Sequence, residues 1–347
     1  TIHVTKKLDF ANLGILLLVL KFSEASLIVN EDLGDGSITR TKDEQYLLDH
    51  PLNEKMINVA QSCLNQFRLL RRCALPIFQL ALLMNEYEKL NGLADGNDPD
   101  SQIFIAMLIQ MAISIGMNRD PSKFDTFIGK GKVGNLWRKI WYGLLSSDVK
   151  QYIQFGSGKS AMCDFYDTEL PVFDEESSNI DNYDLERVVI EKIRLNFKFD
   201  QAMLELADYL CQFKKNPNVR VVLTKVFNLE AMMKESFGTM KDLLNKSSDL
   251  FIEKVRKVWD FTIYVLAVGL LVTVYHQLFV NYQKLESYAV TKFVKEKSEV
   301  HWLYVFSNFK NISSKSSKYF GIGFDMVISQ CIISTVHKGW IDFMSTY

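Results

Sequence analysis

Gly156-Ser157-Gly158-Lys159-Ser160 is the stretch whose residue types come closest to a known chemistry. It ends in Gly-Lys-Ser, as a phosphate-binding loop does. Such a loop carries another glycine five residues before the second one, where this chain has Ile153. It also follows a buried strand, so that successive backbone N–H groups close around the phosphates. Here a tryptophan-rich helix precedes it, so the stretch reads as a solvated glycine turn. The histidines His3, His50, His276, His301 and His337 stand apart, with no carboxylate at triad-like or metal-like spacing. Cys63, Cys73, Cys163, Cys211 and Cys331 include no C-x-x-C pair, and none lies within five residues of a histidine. That spacing excludes a short-spaced structural zinc site. Asp164, Asp167, Glu169, Asp174, Glu175 and Glu176 form an acidic stretch without the alternation of a calcium loop. With no Gly-x-Ser-x-Gly elbow and no Cys–His pair, no constellation supports an enzyme.

The elements that carry these residues are helical. A chain of 347 residues has length for one large domain or two ordinary ones. Lys and Arg total 40 against 41 Asp and Glu, a balance unlike that of a basic nucleic-acid binder. Glycine (17) and proline (6) are scarce, which disfavours turn-rich sandwiches and doubly wound sheets. Scattered lone cysteines suit a reducing, intracellular setting. Apolar spacing predicts helices over 13–20, 54–72, 76–89, 102–115, 135–149, 183–214, 219–237 and 249–288, with a final pair from about 299 onward. The run 102–115 is apolar on nearly every side, so it should be central. Residues 91–100, 156–182 and 313–317 read as loops. Leu13 to Leu20 is too short to span a membrane. Phe261 to Val280 carries Thr262, Thr273, His276 and Gln277, and falls short of the roughly 20 apolar residues a span needs. It reads as a buried central helix, and no membrane partner is expected. The predicted fold is all-α, a large helical assembly of roughly ten or more helices with little or no sheet. The chain opens on Thr1 with neither methionine nor a basic segment, and is expected to be a piece of a longer protein.

The informative stretch runs from Ala106 to Glu176. Ala112, Ile115, Gly116 and Met117 close a buried helix, and Asn118-Arg119-Asp120-Pro121 follows as a turn. Leu136-Trp137-Arg138-Lys139-Ile140-Trp141-Tyr142 then heads a helix with Asp148 further along, and Asp167, Leu170 and Pro171 complete the order. This ordered set resembles the middle homology region, or fungal-specific transcription factor domain, of the zinc-cluster regulators. Residues 14–28 resemble that family's leucine-rich opening helix, and 60–87 its next helices. The resemblance covers about the first 180 residues, and beyond them only helical character continues. Gly156-Ser157-Gly158 stands where the family has a G-R-P-like turn, which weakens any arginine-based role there.

The resemblance implies a regulatory unit with an N-terminal part over 1–180 and a C-terminal helical part over 181–347 packed on it. The zinc-cluster DNA-binding domain would lie outside this chain, so zinc and DNA contact are expected only there. No cofactor is expected in the chain itself. It further implies a nuclear location, transcriptional co-regulators as partners, and in some members a small hydrophobic effector. A ligand-free scaffold that homodimerises or binds a co-regulator is the alternative. For an effector pocket, Tyr264, Val268, Leu271 and Tyr275 share one face of the most apolar helix. Arg119, Asp120, Trp137, Arg138, Trp141 and Asp148 read as structural. An ion pair is expected between Arg119 or Arg138 and Asp120 or Asp148, fixing how neighbouring helices cross.

Overall fold

Helical spacing becomes thirteen α-helices and one 3-10 turn, with no strand among the described residues. The computed structural model describes residues 5–29, 40–67, 74–90, 99–124, 131–156, 158–161, 165–212, 214, 217–246, 249–284 and 288–344. The chain divides into two compact units, 1–28 with 37–197, and 29–36 with 198–347.

In the first unit, α1 (Lys7–Ala25) packs on α3 (Lys55–Asn65) and α4 (Leu75–Leu90), while α5 (Pro99–Ser114) packs on α6 (Gly131–Phe155). Gly14 lets α1 and α4 approach closely, since a Cβ there would lie 2.7 Å from Leu80 Cδ1. Leu18, Phe78, Leu80, Ile105, Leu108 and Trp141 are among its buried core residues. Apolar side chains of this size contribute roughly 1.5–3 kcal/mol each when buried. The short helix α2 (Lys42–Asp49) was not expected from apolar spacing, and none of its residues is buried. It is held by its cap: Thr41 Oγ1 accepts from the Glu44 N–H, and the Glu44 carboxylate accepts from the Thr41 N–H. The helix expected over 54–72 is α3 as far as Asn65, and residues 68–73 lie outside the described set. Within the loop expected at 91–100, residues 91–98 lie outside the described set, and α5 already begins at Pro99.

The second unit contains the later part of α7 (Tyr183–Leu210), then α8 (Val219–Phe237), α9 (Met240–Asn245), α10 (Phe251–Lys284), α11 (Tyr288–Ser314), α12 (Ser316–Phe320) and α13 (Asp325–Met344). Val219 to Leu223 has strand-like side chains, yet it is helical because the Asn218 side chain accepts from the Arg220 N–H at helix α8's start. Val222, Val226, Leu229, Met233 and Phe237 form that helix's buried stripe. Helix α10 is long and apolar enough to cross a membrane by length and composition. Of its most apolar stretch, 61% is buried in the protein, and α8, α9, α11, α12 and α13 all pack on it. It is the central helix of its unit. Lys257 on α10 turns inward and donates to the Leu244 and Lys246 carbonyls, both at 2.7 Å, tying down the end of α9. Burial pushes its ammonium down to about 8. The polar run 313–317 is not a loop: α11 continues to Ser314, and after Lys315 α12 starts at once. Ser316 and Ser317 there donate to the buried Asp325 carboxylate, which satisfies their polarity inside helical structure.

Candidate functional site

Helix α5 ends in a turn that only glycine adopts without strain. Gly116 has φ +83°, its N–H donates to Ile113 O at 2.9 Å, and Met117 N–H donates to Ala112 O at 2.8 Å. The left-handed residue swings the chain away, and Asp120 caps the 3-10 turn Pro121–Lys123. Asp120 is wholly buried, and Arg138 reaches it from α6 with both arms of its guanidinium. Nε lies 2.9 Å from Oδ2 and Nη2 lies 2.7 Å from Oδ1. The Ser122 N–H and Oγ also donate to Oδ1, at 3.0 and 2.5 Å, and the Glu169 N–H donates to Oδ2 at 2.9 Å. Burial would raise this carboxyl, but the Arg138, Ser122 and Glu169 donors outweigh it and hold Asp120 well below the carboxylate range.

The Glu169 contact belongs to a strap, residues 165–171, laid along the turn. Asp167 accepts from the Asp120 N–H at 2.9 Å, from Arg119 Nε at 2.9 Å and from Lys123 Nζ at 2.7 Å. The Lys123 ammonium, the Asp120 amide and Arg119 hold its carboxyl below the usual value. Asn118 Nδ2 donates to Phe165 O, Thr168 Oγ1 to Met117 O, and Tyr142 Oη to Thr168 O. At the far end Arg194 donates to Pro171 O from the first unit's share of α7. Asp120 is thus the point where α5, α6 and the strap meet.

Each residue singled out in the sequence has a definite place. Arg138, rather than Arg119, pairs with Asp120. Arg119 pairs with Asp167 at the surface, the two side chains being 57% and 36% exposed. Among the described residues no arginine pairs with Asp148: it accepts from the Ser160 N–H at 2.9 Å and the Ala161 N–H at 2.8 Å, and burial raises its carboxyl. The first of these amides belongs to the Gly-Lys-Ser end and the second follows it directly, so both point inward at a carboxylate and not at a phosphate. Trp137 and Trp141 lie buried on α6, edge-on to Phe124 and Tyr166. In the other unit Val268, Leu271 and Tyr275 are fully buried in the packing of α10, and Tyr264 is half-buried with its edge toward Phe237. Tyr275 Oη donates to Glu230 at 2.9 Å, and Lys297 stands 3.3 Å from the same carboxylate. Burial and that carboxylate push the Tyr275 hydroxyl far up. Among the described residues no group of three His, Cys, Asp or Glu is placed to hold a metal ion.

Several anchors were not singled out in advance. Asn135 donates to Ser177 O and to Glu186, Lys139 pairs with Glu186, and Asn179 donates to Lys132 O, fixing the chain after the strap to the head of α6. An asparagine at a helix start was the available signal for Asn135. For Glu186 nothing local marks the partner.

This assembly, a helix closed by glycine, an Asn-Arg-Asp-Pro turn, an arginine between two tryptophans and a returning strap, coincides with a known domain. A profile of the fungal specific transcription factor domain matches residues 25–287. The chain belongs to this family. The whole clasp lies inside the matched span, whereas α11, α12 and α13 follow it. Multidrug resistance regulator 1 of Candida albicans is 26% identical over 355 residues, covering 97% of this chain and 31% of its own length. Transcription factor MAR1 of Candida glabrata is 23% identical, covering 66% of this chain and 22% of its own length. The heme-responsive zinc finger transcription factor HAP1 of Saccharomyces cerevisiae is 24% identical, covering 63% of this chain and 21% of its own length. The chain therefore spans less than a third of these relatives. No solved structure matches it.

Proposed function

We propose that this chain is the regulatory domain of a fungal zinc-cluster transcription factor, and that it sets transcriptional output in response to a small hydrophobic effector. The observation that carries this reading is the family match over residues 25–287. Two relatives support the effector through their names, one a multidrug resistance regulator and the other heme-responsive. Apolar interiors between packed helices suit an apolar ligand. DNA contact and the zinc cluster belong to a segment outside this chain, and the intact protein would act in the nucleus with co-regulators. The test is a reporter gene driven by the full-length regulator, compared with one lacking residues 1–347. Constant output after removal of the domain, with and without added apolar compounds, would defeat the reading. Native mass spectrometry of the purified chain adds a second readout, since a stoichiometric apolar molecule carried through purification identifies the effector class.

The scaffold reading has one observation in its favour: Leu16, Val19 and Leu20 of α1 are 47%, 46% and 40% exposed on a single helix. Under that reading the purified chain sediments as a homodimer, and Leu16→Glu returns it to a monomer.

A further inference from the structure

Helix α2 is a surface element with a charge of its own. None of its residues is buried, and Tyr46 and Leu47 are 61% and 42% exposed. Asp43 stands one turn before both of them, so a carboxylate borders the apolar pair. The helix carries three carboxylates, Asp43, Glu44 and Asp49, against one ammonium, Lys42. The Tyr46 ring is already held in place, stacked on His50 with centroids 4.2 Å apart. Eight residues are too few for a helix to persist by propensity alone. The capping box and the Gln45–Asp49 hydrogen bond at 2.9 Å keep it helical, with an uncovered apolar face.

The opposite chemistry lies at the start of α10. Leu250 and Phe251 there are 69% and 59% exposed, and Ile322, in the turn between α12 and α13, is 53% exposed. These three are neighbours. Phe251 stacks on Phe324 with centroids 6.2 Å apart, and Lys254 lies along Gly321, where a Cβ would come 2.8 Å from its Cδ. Gly321 and Gly323, with φ +90° and +100°, adopt left-handed conformations on both sides of Ile322. Residues 246–256 and 315–324 carry five cations, Lys246, Lys254, Arg256, Lys315 and Lys318, against two carboxylates, Asp249 and Glu253. On a chain with a formal charge of −1, that is a local positive excess around an exposed apolar patch.

We propose that α2 of one copy docks on this patch of a second copy. Tyr46 and Leu47 lie against Leu250, Phe251 and Ile322, and the α2 carboxylates face Lys254 and Lys318. Each surface supplies what the other lacks, since an apolar face with an acidic border meets an apolar face with a cationic one. Pairing α2 with α2, or patch with patch, would bring like charges together. The mode is that of a short helix laid by its apolar face on an apolar surface. A contact of this size makes a weak, reversible dimer. This assignment rests on the scaffold reading above and moves its contact from the α1 face to α2.

Sedimentation equilibrium of the purified chain tests it. The wild type is expected to pass from monomer to dimer between about 1 and 200 µM, the range of a small transient interface. Screening in about 0.5 M NaCl should weaken that dimer. Tyr46→Ser and Ile322→Ser change exposed side chains, so Tm should hold while each raises the dimer Kd about tenfold or more. Leu47→Ser replaces Tyr46→Ser if that variant unwinds α2. An equimolar mixture of the two variants should associate more tightly than either alone. In it, the intact α2 of the Ile322→Ser copy meets the intact patch of the Tyr46→Ser copy. Leu16→Glu should leave the dimer as it is. A dimer unmoved by both serine variants, or a mixture no tighter than its components, overturns the assignment. A dimer lost with Leu16→Glu and kept in the serine variants retains the scaffold reading and loses this surface. A wild type still monomeric at about 200 µM removes the homodimer from both.

Discussion

Asp120 and Arg138 concentrate more of the first unit's polar interactions than any neighbouring pair. Asp120 has no exposed surface, and the Arg138 side chain is 21% exposed. Arg138→Ala leaves a buried carboxylate with only N–H and hydroxyl donors, which should cost roughly 2–4 kcal/mol, read as a lower midpoint in denaturant unfolding. Arg119→Ala removes an exposed pair with Asp167 and should cost less than about 1 kcal/mol in the same measurement. Acid should separate Asp120 from other carboxylates. Its folded value lies well below the ordinary 3.8, so its contribution is present above that value and is lost as pH falls through it. Asp120→Asn should therefore flatten the decline of stability between about pH 5 and pH 2 relative to the wild type. Asp148, raised by burial, works in the opposite sense and gains on protonation. Residue types at this site were legible in Asn118-Arg119-Asp120-Pro121 and in Trp137-Arg138. Which arginine meets which aspartate was not, because the deciding partners, Asp167 and the Glu169 amide, arrive 47 and 49 residues after Asp120.

Helices were readable wherever an apolar stripe is long, as in α4, α8 and the all-round apolar α10. Short helices escaped because they bury little and rest on caps. Thr41 with Glu44 and Thr239 with Asp242 are capping boxes, a signal that spacing of apolar residues does not register. The run 313–317 misled in the opposite way, since its serines are used as donors to a buried aspartate. Close approach of elements is equally hidden in a sequence. Gly14 looks like one small residue in a leucine-rich helix, yet a Cβ there would come within 2.7 and 2.9 Å of the Leu80 methyls. Leu80 is itself fully buried and has little room to yield. Gly14→Ala should therefore destabilise by about 1–3 kcal/mol although alanine is the better helix former, with the loss read in thermal melting. Gly143, on α6, has nothing within 4 Å of an added Cβ, so Gly143→Ala at that helical position should instead stabilise by a few tenths of a kcal/mol to about 1 kcal/mol.

At the scale of the molecule, near-zero charge is the property most directly visible in composition. A formal charge of −1 gives no electrostatic footprint for a polyanion. The purified chain should show no salt-dependent binding to duplex DNA by fluorescence anisotropy, and DNA recognition should appear only with the remainder of the regulator attached. The all-α class followed from the scarcity of glycine and proline; the resemblance implied two parts meeting at 180 and 181, whereas the compact units divide after Phe197, inside one uninterrupted helical pattern, α7. The strap has a bearing on how the chain reaches its native state. Helices α5 and α6 are local structures that form from neighbouring residues, whereas the Asp120–Asp167 contact closes a loop spanning 47 residues. Closing such a loop sacrifices chain entropy before any contact rewards it. The clasp thus belongs to the final, non-local stage of folding. Losing it should hasten unfolding and leave the refolding rate nearly untouched, so that Asp120 governs how long the domain stays folded more than how quickly it folds.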